Sequence, residues 1–317
     1  MHMRHLLASA LVFVGAGGAV AQFEPRIVTE QTLVDSEALA RLQRPGDVFF
    51  ADDAESESGF DRFLEVGGRG TRATLSTTMS HSGDGSYELL APARDGGASG
   101  TNATIYFGPA GYDVVYFRRY IRFAEDYDQG NLNHVGGGLA AVAGSDPWAG
   151  MGQAGKKPTG DDRFNASFEP WKDWGRHPAP GYLFFYAYWM DMTQDRDGNY
   201  WENFIQPPAE ERLIPERGQW ICLEQMLRAN DPGEANGELA GWVDGKLYLH
   251  ATGIRWRSSD TVRIKRANVL VYIHQARQDN RVWYDDIALS TGYIGPLPGA
   301  AGTIVEPASW GQLKSAR

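Results

Sequence analysis

Cysteine is almost absent from this chain of 317 residues, since Cys222 is the only one. No intramolecular disulfide can form, and a core of this size does not need one. Cys222 lies in a strand-like run, so we expect a buried, inert thiol, with a nucleophile as the alternative. Basic residues are also few, 30 against 40 acidic ones, which gives a formal net charge of −10. This balance argues against nucleic acid but allows a local basic cleft for an anionic polysaccharide.

Long apolar runs are missing except at the N-terminus. Leu6–Val20 follows Arg4 and His5, and Ala19-Val20-Ala21 before Gln22 fits a signal-peptide cleavage site. The run is too short and too rich in glycine to cross a bilayer. We therefore expect export to the periplasm or the medium, and no membrane partner.

Several catalytic signatures are also missing. There is no Glu-x-Asp-x-Glu strand, which would supply a glucanase carboxylate pair, no zinc-spaced His/Cys cluster and no phosphate loop. A hydrolase would have to pair carboxylates from neighbouring strands, and the candidates are Glu169, Asp191, Glu202 and Glu224. We expect no cofactor, unless the first and last strands pair so that Asp52-Asp53 and Asp285-Asp286 share a structural calcium ion. Solvated turn carboxylates are the alternative.

Helix-like patterning is confined to Ser36–Gln43, and from Val48 onward turn signals separate short strand-like runs. The turn at Val243-Asp244-Gly245-Lys246 predicts a hairpin between Gly237–Trp242 and Leu247–Ala251. The pattern predicts an all-β jelly roll, a concanavalin-like sandwich of two antiparallel sheets with a concave groove. The expected segments are a signal peptide at 1–21, an N-terminal extension at 22–46, a jelly-roll catalytic domain at 47–296 and a C-terminal tail at 297–317.

The aromatic run Tyr182–Met192 contains no glycine or proline and predicts one strand. Alternation places Tyr182, Phe184, Tyr186 and Tyr188 on one face and apolar residues on the other. A tyrosine row suits a sugar-binding groove, because its rings stack on sugar C–H faces and its hydroxyls hydrogen-bond sugar oxygens. An ordinary sandwich core is the alternative.

Three further strands carry polar faces. These faces comprise Tyr116, Arg118, Tyr120 and Arg122; Glu224, Arg228 and Asn230; and Asn268, Tyr272 and His274. If they belong to one sheet, they line a concave groove. Glu224 is equally explained as the partner of an arginine.

Eight segments occur in a distinctive order: Tyr116–Phe123, Gly130-Asn131-Leu132, Gly136-Gly137-Gly138, Arg163-Phe164-Asn165, Tyr186-Ala187-Tyr188, Gly218–Glu224, Gly237–Gly245 and Trp283–Ser290. This order resembles the jelly-roll polysaccharide lyases of the alginate and glucuronan lyase type, above all polysaccharide lyase family fourteen, over residues 105–292. The resemblance implies β-elimination at a uronate. A base removes the C5 proton, an acid protonates the leaving oxygen, and a cation or amide neutralises the carboxylate.

The resemblance also implies catalytic residues. Arg163 matches the family's active-site arginine, and Tyr186 and Tyr188 match its Tyr-x-Tyr pair. One of the two phenols would transfer the proton, with a pKa lowered by nearby cations.

The chain departs from the family where a catalytic or substrate-binding lysine is usual, because Asn131 stands there. Asn131 or Asn133 would then face the carboxylate, and His134 would act as the base, its ordinary pKa being close to neutral. A loop histidine satisfied by the backbone is the alternative for His134. His274 is a second candidate base and a substrate-binding residue.

The remaining predicted subsite residues are Arg118, Arg122, Glu224 and Trp174, the last in an exposed loop over the groove mouth. We expect a monomer that acts on an anionic polysaccharide or oligosaccharide, as a lyase. A glycoside hydrolase on the same fold and a non-catalytic lectin-like protein are the alternatives.

Overall fold

A computed structural model describes residues 25–33, 35–201 and 204–298. The expected signal peptide and most of the expected C-terminal tail lie outside these ranges. The strands are β1 (Arg26–Val28), β2 (Val48–Asp52), β3 (Glu65–Val66), β4 (Ala73–Ser76), β5 (Ser86–Ala91), β6 (Ser99–Tyr106), β7 (Val114–Phe123), β8 (Asn133–Val135), β9 (Gly138–Val142), β10 (Arg163–Trp171), β11 (Tyr182–Tyr188), β12 (Phe204–Ile205), β13 (Trp220–Arg228), β14 (Gly237–Val243), β15 (Lys246–Ile254), β16 (Arg263–Ile273) and β17 (Asn280–Ser290). The helix α1 spans Ser36–Leu42, and 3₁₀ turns span Glu57–Arg62 and Ala209–Glu211.

The strands pair into two antiparallel sheets, which confirms the predicted sandwich. Sheet A has the order β1-β15-β14-β13-β7-β17-β5-β4, with β2 also paired to β17. Sheet B has the order β12-β11-β10-β9-β16-β6-β3, with β8 also paired to β16. The predicted hairpin is β14–β15, and its turn residues Asp244 and Gly245 have φ of 49° and 81°, as a tight hairpin turn requires.

The core lies between the sheets because alternate residues of each strand point inward. On β11, Leu183, Phe185 and Ala187 are fully buried, as the alternation predicted. Phe185 stacks on Phe168 of β10 with ring centroids 4.5 Å apart. Burying a phenylalanine side chain stabilises the fold by about 1.5–3 kcal/mol. The strand is shorter than predicted and ends at Tyr188.

Arg119 is a charged residue within this core. It lies on the inward face of β7 and donates hydrogen bonds to the carbonyl oxygens of Gly136, Gly137 and Phe168 in sheet B. Tyr284 of β17 accepts a hydrogen bond from the Gly136 N–H at 2.8 Å. Gly136 and Gly137 have φ of 109° and 98°, which favours glycine. Side chains of sheet A therefore hold the turn between β8 and β9 in place from the core side.

The outer face of sheet A is covered by the two ends of the described chain. β1 pairs with β15, and α1 packs through Leu42 beside Tyr116 and Trp242. Near the other end, the Leu297 N–H donates to the Tyr120 hydroxyl at 2.8 Å. Within the described ranges, no helix has both the length and the apolar character to span a membrane.

Candidate active site

The outer face of sheet B holds a cavity of about 570 Å³. Its floor is polar because the outward positions of β6, β10 and β16 are polar while their inward neighbours are in the core. The floor includes Asn102, Thr104, Asn165, Ser167 and Asn268. Ser167 lies opposite Tyr186 on one side and Gly138 on the other. In the tyrosine row of β11, Tyr182, Phe184 and Tyr188 are buried and only Tyr186 is half-buried, so the row as a whole does not form an open groove floor.

His134 and Glu169 form a hydrogen-bonded pair at the edge of the cavity. The Nδ1 atom of His134 lies 3.0 Å from a carboxylate oxygen of Glu169. Glu169 is 1% exposed, whereas the His134 side chain retains 34% exposure. Burial lowers the pKa of His134, but Glu169 raises it by more, so the net shift is upward. Because Nδ1 is hydrogen-bonded to the carboxylate, Nε2 is the ring nitrogen available to contact a substrate.

Tyr186 and Tyr188 form a hydroxyl pair beside this histidine. Their oxygens are 3.0 Å apart, and the Gly155 N–H donates to Tyr188 at 3.0 Å. The rings of Tyr186 and His134 have centroids 5.4 Å apart. Tyr188 is buried and Tyr186 is half-buried, so Tyr186 is the phenol closer to solvent.

The expected lowering of the phenol pKa is wrong for Tyr186. Burial raises the pKa of Tyr186, and the neighbouring Tyr188 and Glu169 raise it further. Tyr186 therefore stays protonated at neutral pH, which suits a general acid rather than a base.

Arg163 lines the cavity but is already engaged. Its guanidinium forms an ion pair with Asp162 and donates to the carbonyl oxygens of Gln153 and Lys156, the latter at 2.7 Å. These bonds anchor the loop that carries Gly155 to the start of β10. Because Asp162 offsets its charge, Arg163 contributes less to an anion site than a free arginine would.

Comparison with solved structures gives matches that span most of the chain. The PL-14 alginate lyase from Aplysia kurodai is 12% identical, with a TM-score of 0.55 over 79% of this chain and 100% of that chain. Alginate lyase vAL-1 from Chlorella virus is 13% identical, with a TM-score of 0.56 over 77% and 99%. Alginate lyase Aly36B is 16% identical, with a TM-score of 0.53 over 78% and 96%. The protein has the jelly-roll fold of these polysaccharide lyases.

At 12–16% identity, these matches show a shared fold and nothing beyond it. No family model matches the sequence, and no curated protein does. The structural matches confirm the fold that the order of the eight segments predicted. A mutant of Aly36B has been solved in complex with an alginate trisaccharide.

Asn131 and Asn133 belong to the segment in which the chain departs from the lyase pattern. Asn133 is the first residue of β8 and immediately precedes His134. Asn133 is buried, and its amide nitrogen lies 3.4 Å from the carbonyl oxygen of Pro170. Asn131 is half-buried in the loop before β8. Asn165 is better placed to meet a substrate carboxylate, since it lines the cavity and lies opposite Tyr188.

The expectation of one groove shared by four strands is wrong for β7 and β13, because both belong to sheet A. Arg118 is buried there and donates to the carbonyl oxygens of Asp286 and Gly295. Glu224 accepts hydrogen bonds from the backbone N–H groups of Ile294 and Gly295, at 2.9 and 2.8 Å. Arg122 lies opposite Trp220 on the same sheet. Arg118, Arg122 and Glu224 therefore cannot line the groove of sheet B. Sequence alternation identified their outward faces correctly but could not assign the strands to a sheet.

His274 and Tyr272 extend the histidine cluster. The His274 ring centroid is 5.5 Å from that of His134 and 5.0 Å from that of Tyr272. Burial lowers the pKa of His274, and His134 lowers it further. Trp174 lies in the loop after β10, is 56% exposed and contacts Trp171 edge-on. Its φ of 54° is unusual for a bulky side chain.

The other sequence candidates occupy structural positions. Asp191 pairs with Arg255 at 2.6 Å, and Glu202 lies outside the described residues. Asp52 accepts a hydrogen bond from Tyr87, whereas Asp286 pairs with His81. The described residues contain no group of three or more His, Cys, Asp or Glu side chains placed to hold a metal ion. Cys222 is buried as predicted, and burial raises its pKa to about 12.

Sequence reasoning did not identify two residues, Glu169 and Asn165, in the roles that the structure suggests for them. Glu169 was considered only as a hydrolase carboxylate, although it is the partner of His134. Asn165 was noted only as part of a matching segment. The signal was present in the alternation of Arg163, Asn165, Ser167 and Glu169, which places four polar residues on one face of β10.

Proposed function

We propose that this protein is an exported polysaccharide lyase that cleaves a uronate-containing polysaccharide by β-elimination. The observation that carries the proposal is the His134–Glu169 pair, with Nδ1 3.0 Å from the carboxylate, beside the Tyr186–Tyr188 hydroxyl pair, whose oxygens are 3.0 Å apart. A base oriented by a carboxylate next to a protonated phenol supplies both proton transfers of an elimination. The lyase fold of the structural neighbours supports the same chemistry.

The roles follow from the protonation states. Neutral His134 takes the C5 proton on Nε2, the electron pair forms the C4–C5 double bond, and the bond between C4 and the glycosidic oxygen breaks. Tyr186 gives its proton to the departing oxygen. The Tyr188 oxygen accepts from the Gly155 N–H, and we assign the hydrogen bond between the two phenols to the Tyr188 hydroxyl as donor, which leaves the Tyr186 proton free for the substrate. Solvent then returns the proton from His134 to Tyr186.

Carboxylate neutralisation falls to Asn165 in this proposal. Its side chain makes no hydrogen bond to another described residue, it lines the cavity, and it lies diagonally from Tyr186 across the β10–β11 pair. An amide donor aimed at the carboxylate stabilises the developing enolate. Arg163 is not assigned this role, because its guanidinium is already paired with Asp162 and with two backbone carbonyl oxygens.

For the hydrolase alternative, Glu224 and Glu169 cannot act as a pair, because Glu224 lies on sheet A while Glu169 lies on sheet B. Two glycosidase carboxylates must stand within about 5–10 Å of each other. A lectin-like role would use the same groove without turnover.

The test is incubation of the mature chain with a panel of uronate polymers, including alginate and glucuronan, and neutral glucans as controls. Elimination gives an unsaturated product that absorbs in the ultraviolet, with one new reducing end for each double bond. New reducing ends without absorbance would establish hydrolysis instead. Saturable binding with neither signal would leave a lectin. Retention of the N-terminal leader in the exported protein, measured by mass spectrometry, would contradict the signal peptide.

A further inference from the structure

The loop that precedes β10 reaches back to the tyrosine pair. Its residues 153–156 are called the Gly155 loop here. The Gly155 N–H donates to the Tyr188 hydroxyl at 3.0 Å, and the Tyr188 oxygen also lies 3.0 Å from that of Tyr186. Tyr188 is 6% exposed, so its hydroxyl meets this main-chain donor inside the fold. The three groups form a hydrogen-bonded chain from the backbone of the loop to the proposed acid.

Arg163 holds the Gly155 loop from the side of β10. Its guanidinium donates to the carbonyl oxygens of Gln153 and Lys156, which flank Gly155 in sequence. The Arg163 side chain is buried, and its charge is offset by Asp162. If this guanidinium turned to a ligand, it would leave two carbonyl oxygens without their donor. Its contacts therefore suit a fixed support of the loop.

Residues 200–201 hold the same loop from another direction. The Tyr200 N–H donates to the Gly155 carbonyl oxygen at 3.3 Å. Gly155 has a φ of 75°, and a Cβ atom added there would lie 2.5 Å from the ring of Trp201. That distance is well inside van der Waals contact, so glycine is what allows the loop to pack against this ring. The backbone of Gly155 is thus held by contacts on both sides.

Hydrogen-bond chemistry gives this arrangement a use. A hydroxyl that accepts a hydrogen bond becomes a better donor, because hydrogen bonds in a chain polarise one another. When Tyr186 gives its proton to a leaving group, its oxygen becomes negatively charged. A polarised Tyr188 hydroxyl that donates to this oxygen stabilises the charge.

We propose that the Gly155 loop is a positioning element for the proposed general acid, and that its main-chain N–H directs the Tyr188 proton toward Tyr186. Arg163 then acts on the reaction through the loop. It is a positioning residue and does not bind the substrate carboxylate. This inference rests on the proposed function for the role of Tyr186, but the hydrogen bond between Gly155 and Tyr188 can be measured without turnover.

Amide hydrogen exchange measured by NMR tests that hydrogen bond directly. Tyr188→Phe removes the acceptor, so the Gly155 amide is expected to exchange at least about tenfold faster than in the wild type. The Lys156 amide is the internal control, because it donates to the Gln153 carbonyl oxygen at 3.1 Å and should keep its rate. Equal Gly155 rates in the two proteins would overturn the proposal, whatever the activity.

Two glycine variants test the consequence for catalysis. Gly155→Ala is expected to push the loop away from Trp201 and to lower kcat about 3- to 10-fold, the effect of one neutral hydrogen bond. Gly152→Ala is the matched control, since Gly152 has a φ of 71° and an added Cβ would meet nothing within 4 Å. It carries the same backbone strain and should keep the wild-type kcat. In the Tyr188→Phe background, Gly155→Ala should cause no further loss, and an equal loss there would overturn the proposal.

Arg163→Gln separates support of the loop from substrate binding. It is expected to lower kcat by at least about threefold. In the Tyr186→Phe background, its affinity for a hexasaccharide of the cleaved polymer should stay within about threefold by calorimetry. Arg163→Lys keeps a donor for the loop and should recover part of kcat. A tenfold or greater loss of affinity with unchanged kcat would make Arg163 a substrate ligand and overturn its positioning role, by about the worth of a hydrogen bond to a charged group.

The exchange measurement keeps the two proposals separable. If Arg163→Gln does not fold, the glycine pair and the Gly155 exchange rate still decide the role of the loop. Absence of elimination by the wild type would defeat the proposed function and leave the exchange result standing. Elimination with unchanged Gly155 exchange in Tyr188→Phe would defeat this inference alone.

Discussion

The guanidinium of Arg119, in the core of sheet A, donates to the carbonyl oxygen of Gly136 in sheet B with an Nε–O distance of 2.6 Å. Gly136 follows the candidate base His134 by two residues. Arg119 thus holds the backbone next to this histidine from the core side of its sheet. It satisfies backbone carbonyls that would otherwise be buried without a donor.

Arg119→Met is expected to lower the free energy of unfolding by about 3 kcal/mol or more, because it leaves several buried carbonyl oxygens unsatisfied. Urea titration followed by tryptophan fluorescence measures the loss. Arg69→Met is the control, because that guanidinium pairs with Glu57 and Asp61 on the surface, where ion pairs contribute about 0–1 kcal/mol. Equal stability of the two variants would contradict the anchoring role.

Tyr186→Phe is expected to reduce kcat by about 10²–10⁴-fold, the usual loss on removing a general acid. Tyr188→Phe should cost less, since Tyr188 acts through Tyr186. Circular dichroism checks that both variants fold. The site assignment would be wrong if Tyr186→Phe, Tyr188→Phe and His134→Ala all stayed within about threefold of wild type, far short of such losses.

The pH profile of kcat/KM is expected to fall on the acidic side as His134 becomes protonated, at a pKa above its ordinary value of 6.5. Glu169→Gln removes the charge that raises this pKa, so the acidic limb should move to lower pH while the maximum rate drops. The upward shift also stabilises the fold below the pKa of the unfolded state, and this stabilisation is lost as the pH rises through the folded pKa. An unmoved limb in Glu169→Gln would assign the titration to another group.

Asn165→Ala is expected to lower kcat/KM by about 10²-fold, as for the loss of a donor that stabilises developing negative charge. Arg122→Ala is the matched comparison, because the sequence pattern assigned it to the groove whereas the structure places it on sheet A. It should retain wild-type activity on the same uronate polymer. A larger loss in Arg122→Ala than in Asn165→Ala would reverse this assignment.

The sequence predicted the sandwich, the β14–β15 hairpin, α1 and the two faces of the tyrosine strand, because these depend on local periodicity and turn chemistry. It could not assign β7 and β13 to a sheet, since alternation is the same for any strand with one core-facing side. The raised pKa of Tyr186 was missed for a related reason. Burial and the Tyr188 hydroxyl act on it through the folded surroundings, which composition alone does not contain.

The alternation along β10 has a consequence for how this protein can change. Arg163, Asn165, Ser167 and Glu169 face the groove, while Phe164, Ala166 and Phe168 between them hold the sandwich together. Asn165 and Ser167 can be substituted without opening a void in the interior, whereas Arg163 and Glu169 are buried and hold the loop and His134 in place. Under the proposed function, new sugar preferences can therefore arise at Asn165 and Ser167 on a scaffold whose folding is left largely untouched, and directed evolution would best begin at these two positions.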